Sequence, residues 1–161
     1  MDAIDPLTAG KQPNEAALLE LGGLVWAAIN LEDAVFAVCR SVKPRGGPYD
    51  ETPIGTRINE ARRDLEARSD ATLRLDADAW LAKAAEALQA RNAVVHATPV
   101  TVVSLSANID PVVTDPFLAH YPRDRSRAPI HTQLTAASLR TIRRQIERAR
   151  DGWDAIALRL L

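Results

Sequence analysis

Cysteine is almost missing from this chain of 161 residues. Cys39 stands alone, so no internal disulfide and no thiolate cage for a metal can form. It lies among Val35, Phe36 and Val38 and is expected to be a buried, inert thiol. Lysine is nearly as scarce. Lys11, Lys43 and Lys83 are the only ones, and every other basic side chain is arginine, whose planar fork suits phosphate. A GC-rich genome would enrich arginine and alanine with no functional cause. Aromatic residues make up 4%, so Ala, Leu and Val carry an apolar fraction of 47%, a mix that favours helices over an all-β fold. An excess of positive charge is lacking too: the net charge of -1 excludes a chain coated in positive potential for bulk nucleic-acid binding. No apolar run approaches the roughly 20 residues of a membrane span, and the N-terminus lacks the basic-then-apolar form of a signal peptide. A cytoplasmic protein with no membrane partner is therefore expected. His96, His120 and His131 are scattered, and no H-E-x-x-H or cysteine pair exists, so neither a metal nor another cofactor is expected.

What is present is helical. Residues 1–12 mix Pro, Gly and polar side chains and read as a flexible leader; 13–161 read as a single domain. Pro13 and Asn14 open a first helix, with Asn14 as N-cap. From Leu18 to Val42 this helix is apolar nearly all round, and Gly22–Gly23 suggests close approach of another backbone. Breakers mark a loop from Pro44 to Pro53. A second helix from about Pro53 to Arg68 has the stripe Ile54, Ile58, Ala61, Leu65. Its other face alternates arginines with acids as a solvated, salt-bridged surface. Asp76 or Asp78 caps a third helix with the stripe Leu81, Ala84, Leu88, Arg91, Val95, ending before Pro99. Val100–Leu105 reads as a strand, with a partner near Val112–Val113 or Pro129–Gln133. Arg123, Arg125 and Arg127 sit on an exposed loop, a solvated tip or a contact to RNA. Thr135 is the N-cap of a last helix, with Leu134 and Leu139 at staple spacing. Leu139, Ile142, Ile146, Ala149, Trp153, Ile156 and Leu160 form its seam. The expected fold class is all-α: a four-helix up-and-down bundle with a small β-hairpin between helices three and four.

The stretch around which these elements are organised is Arg91-Asn92-Ala93-Val94-Val95-His96, at the end of the third helix. Its polar residues are those that phosphate chemistry without a metal would use. At 3.6 residues per turn, Asn92 and His96 share a face, whereas Arg91 and His96 diverge by roughly 140°. Convergence on one phosphate then requires a distorted helix, a bent arginine stem, or copies of these residues in a second subunit. The stretch resembles the Arg-Asn-x-x-x-His signature of HEPN domains. That resemblance covers most of the chain in layout but only this motif in identity.

The resemblance implies a small helical homodimer in which two motifs line a shared cleft, acting as a metal-independent ribonuclease. RNA would be cut by its own 2′-hydroxyl, leaving a 2′,3′-cyclic phosphate and a 5′-hydroxyl. His96 would transfer protons as base or acid, Arg91 would stabilise the phosphorane, and Asn92 would orient His96 or a phosphate oxygen. Proteins of the family often serve as toxins or in defence against phage, with an antitoxin or nucleotidyltransferase as partner. From the residues themselves, Glu32 lies in line with Val25, Ile29 and Phe36, where an unpaired carboxylate is costly. It faces Arg91 or His96 in support of the site, pairs with Arg62 or another structural arginine, or reaches solvent. His120 and His131 read as loop or hairpin residues with no catalytic part. The competing functional reading is a non-catalytic dimeric module that binds a nucleotide or a partner. A third reading is a helical scaffold in which the motif is structural, since an arginine or histidine near a helix C-terminus also offsets the helix dipole.

Overall fold

The computed structural model describes residues 15–42, 52–96, 98–100, 103–106, 109–113, 117–120 and 130–160 of the chain. Helices dominate these residues: α1 is Glu15–Val42, α2 Ile54–Glu66, α3 Ala71–Val95, α4 Ala136–Asp151 and α5 Trp153–Leu160. The all-α character expected from the composition is what is observed. Between α3 and α4 the backbone runs as short strands, β1 Thr98–Val100, β2 Val103–Ser106, β3 Ile109–Val113, β4 Phe117–His120 and β5 Ile130–Gln133. They do not form the single small hairpin expected there. β1, β4 and β5 make one antiparallel sheet in the order β1-β4-β5, and β2 pairs with β3 apart from it. The leader, the Asn14 cap, the loop at 44–51 and the loop arginines Arg123, Arg125 and Arg127 lie outside the described residues.

By contacts the chain divides into two compact units. One combines Met1–Gly23 with Asn92–Thr141, and the other combines Leu24–Arg91 with Ile142–Leu161. In the second unit the α2 stripe is as read from spacing, with Ile58, Ala61 and Leu65 buried. Pro53 precedes α2 with φ -54° and ψ 140°, and its carbonyl accepts from the N–H of Thr56 and Arg57. The expected arginine–acid pairing on this helix is partly across to α3: Arg62 donates to both carboxylate oxygens of Asp78, at 2.6 and 3.1 Å. That fork holds the Asp78 carboxyl below its ordinary value. The start of α3 corrects the sequence reading. Asp70, not Asp76 or Asp78, is the cap, its carboxylate accepting from the Leu73 N–H at 2.9 Å. Asp76 and Asp78 lie a turn and more inside the helix, where Asp76 takes a bond from Arg159 at 2.6 Å.

The last helix is not continuous either. It breaks at Gly152, and the break is filled by Trp80 of α3. The indole N–H of Trp80 donates to the Ala149 carbonyl at 2.8 Å, and its ring lies 6.1 Å from that of Trp153. A Cβ at position 152 would sit 2.9 Å from Trp80 Cδ1, so the approach needs glycine. Cys39 is half-buried rather than buried, its Sγ 3.7 Å from the Arg57 carbonyl oxygen. Desolvation pushes the thiol up to about 11, with nearby Glu60 adding to the rise and Arg57 opposing it.

α1 departs from expectation in two respects. Its buried side in the second unit is Leu24, Ala27, Ala28, Leu31, Ala34, Val35 and Val38, whereas Val25 and Ile29, expected inward, are exposed; Trp26, Asn30, Asp33 and Arg40, which spacing puts together on a more polar face, are exposed as that face requires. Nothing among the described residues lies within 4 Å of a Cβ built at Gly22, so the close backbone approach expected there is not seen among them. By length and composition α1 is also apolar enough to cross a membrane, contrary to the reading of the sequence run by run. Its isolated acids, Glu20, Glu32 and Asp33, interrupt the run without making the helix polar on average.

In the first unit, Thr135 caps α4 as read. Its hydroxyl accepts from the Ser138 N–H at 3.2 Å, and Ser138 Oγ accepts from the Thr135 N–H at 3.3 Å. This is the reciprocal capping arrangement with serine in place of Glu or Gln. Leu139 is fully buried one turn on, and Arg140 pairs with Glu20 of α1 at 2.7 Å.

Candidate functional site

α3 carries the motif because its sequence keeps a long helix going to the brink of a strand. Ala77, Ala84, Ala87 and Leu88 are buried, and alanine and leucine are among the best helix formers. The helix remains regular to its end: the His96 N–H donates to the Asn92 carbonyl at 3.1 Å, the ordinary four-residue spacing. Distortion near Val95, one of the routes to convergence, is therefore not adopted. The inward line also ends one position earlier than read, with Val94 buried and Val95 43% exposed.

Within the second unit, Arg91 occupies the place that spacing assigned to it. It continues the line of Ala84, Ala87 and Leu88, and its guanidinium Nη2 is engaged by the Glu32 carboxylate from α1. Of the partners open to Glu32, the structure selects Arg91; Arg62 is taken by Asp78. Both side chains of the pair are only partly open to water, 18% for Arg91 and 26% for Glu32. Burial lowers the Arg91 guanidinium from its usual value, the direction expected when a cation leaves water. It remains charged at any physiological pH.

Asn92 and His96 belong to the first unit. Asn92 is partly buried, and the His96 side chain is exposed at the helix end, where a solvent-borne ligand can meet it. His120 and His131 fall on β4 and β5. Among the described residues no group of three or more His, Cys, Asp or Glu is placed to hold a metal ion.

The second unit offers an arginine fixed at the boundary of core and solvent by a carboxylate, and the first offers a partly buried amide and an exposed imidazole. Arginine at such a place binds oxyanions through charge-assisted hydrogen bonds, and an exposed imidazole exchanges protons. Set against protein-family models, curated proteins and solved structures, the chain matches none of them.

Proposed function

We propose that this chain is a metal-independent endoribonuclease of the HEPN type, acting as a homodimer in the cytoplasm on RNA. The observation that carries the reading is Arg91: an arginine on the inward line of α3, held by Glu32, and followed by Asn92 and an exposed His96. On this reading the helices assemble as a four-helix up-and-down bundle, and the exposed Val25, Trp26 and Ile29 on α1 supply apolar surface for a second copy. The burial of the other side of α1 supports its use as a core helix.

The chemistry follows from the residue types. A base, His96 of one copy, takes the proton of the RNA 2′-hydroxyl as that oxygen forms a bond to phosphorus. The bond from phosphorus to the 5′-oxygen breaks, and that oxygen leaves with a proton from an acid, the second His96. Arg91 offsets the added negative charge on the non-bridging oxygens, a contribution of the size lost when one oxyanion donor is removed, about 100- to 1,000-fold. Asn92 orients the imidazole or a phosphate oxygen. A toxin or defence activity, with an antitoxin or nucleotidyltransferase as partner, is the biological setting that fits.

The alternative is a non-catalytic module in which Arg91 only grips a phosphate. Purified protein incubated with RNA in chelator separates the two. Wild type is expected to cut, and His96→Ala and Arg91→Ala are each expected to lose at least about 100-fold while remaining folded. Intact RNA with wild type, or full cleavage by His96→Ala, contradicts the proposal.

A further inference from the structure

We propose that Glu32 is a latch on Arg91 that competes with phosphate: its carboxylate holds the guanidinium edge that a phosphate oxyanion would take, so phosphate binding at Arg91 is coupled to opening of the Glu32–Arg91 pair. The inference rests on the reading of Arg91 as a phosphate grip and adds what governs access to it. A carboxylate and a phosphate offer the same thing to an arginine, oxygen acceptors spaced for its N–H donors. One Nη2 edge cannot serve both fully, and two anions side by side repel. The competition takes place where charge matters most short of the deep core. Glu32 follows the buried Leu31 and stands a turn before the buried Val35 on α1, Arg91 stands a turn after the buried Leu88 on α3, and both members of the pair have low exposure. Yet neither side chain is sealed off, so an anion from solvent reaches Arg91 without unfolding the helices.

The pair also has little value as a device for stability alone. A partly buried ion pair loses much of its Coulombic gain to desolvation, and an apolar pair of similar volume would serve the core as well. Its distinguishing property is that it can be exchanged for another anion. In the resting protein the latch keeps Arg91 aligned and screens it against stray anions. A ligand that brings further contacts displaces the carboxylate, and Glu32 then lies beside the bound phosphate, where its charge disfavours tight retention of an anionic product.

Inorganic phosphate titrated at low salt into the full chain tests this, followed by the Arg91 Nε–H NMR resonance, identified by its loss in Arg91→Ala. Glu32→Gln keeps the shape and removes the charge, and is expected to tighten phosphate binding about tenfold. Glu32→Asp withdraws the carboxylate by one methylene and is expected to shift affinity the same way by less. A melting curve for each variant confirms folding. A deoxydinucleoside monophosphate, which lacks the attacking hydroxyl, and a nucleoside monophosphate distinguish the source of the anion. Tighter binding of the diester points to a nucleic-acid chain, and of the monoester alone to a free nucleotide; either supports the latch. Phosphate affinity equal to or below wild type in both variants overturns it, as does unchanged phosphate binding by Arg91→Ala in isothermal titration calorimetry, which needs no arginine resonance. Nuclease activity is not the readout. A latch without cleavage would remove the enzyme reading alone, and cleavage with no change in Glu32→Gln would remove the latch alone.

Discussion

Arg91 and Cys39 are both displaced from their ordinary ionisation by loss of water, with opposite chemical meanings. For Arg91 the shift is downward and harmless, because a guanidinium remains charged far below its usual value. The partial exposure of the pair also lets Glu32 regain water when Arg91 is removed, so Arg91→Ala is expected to fold. For Cys39 the shift is upward, to about 11 from 9.0, and it silences the thiol. At neutral pH the thiolate fraction falls about 100-fold relative to an unperturbed thiol, since each unit is tenfold. Alkylation by iodoacetamide at pH 7.5 is therefore expected to be about 100-fold slower than for a free cysteine. A rate matching that of free cysteine would contradict the buried environment. The folded state favours the protonated thiol, so this contribution to stability is complete below about pH 9 and is lost as pH rises through about 11. The inert character was legible from the apolar neighbours in the sequence. The Arg57 carbonyl that faces the sulfur was not, because it comes from another helix.

At the scale of elements, signals confined to a few residues were legible and those supplied by another element were not. Thr135 was readable as a cap because the donor it satisfies is three residues away. The start of α3 was misread because Asp70, Asp76 and Asp78 are locally equivalent. Only the tertiary partners, Arg159 for Asp76 and Arg62 for Asp78, show which aspartate is left to cap. The heptad seam of the last helix was equally misleading, for it runs through Gly152 without a break. Trp80 makes the break, by bonding the Ala149 carbonyl and filling the space a side chain at 152 would need. Trp80→Phe is expected to cost about 1–3 kcal/mol in urea unfolding, since the buried carbonyl loses its donor. Gly152→Ala is expected to cost a similar amount, about 1–3 kcal/mol, from overpacking against the indole. If Gly152→Ala raised stability, as glycine-to-alanine does in an open helix, the contact with Trp80 would be of no consequence. The candidate site was half legible by the same rule. Stripe positions put both Glu32 and Arg91 where a lone charge is costly, and the structure shows that each answers the other. That Val25 and Ile29 of α1 face out was not legible, because a helix apolar on most sides does not declare its whole inner face.

For the whole molecule, the proposed cleavage needs two copies sharing one phosphodiester. Trp26 is 67% exposed beside Val25 and Ile29, and these residues are the surface a second copy is expected to cover. Sedimentation is expected to find a dimer, and Trp26→Arg to give a folded monomer that no longer cuts RNA. A monomeric wild type would remove the shared site. The most direct measurement concerns the products. RNA incubated with purified wild type in chelator is predicted to carry 2′,3′-cyclic phosphate and 5′-hydroxyl ends, with those ends lost in His96→Ala and Arg91→Ala. RNA left uncut, or cut to 5′-phosphate ends, would contradict attack by the 2′-hydroxyl at Arg91 and His96.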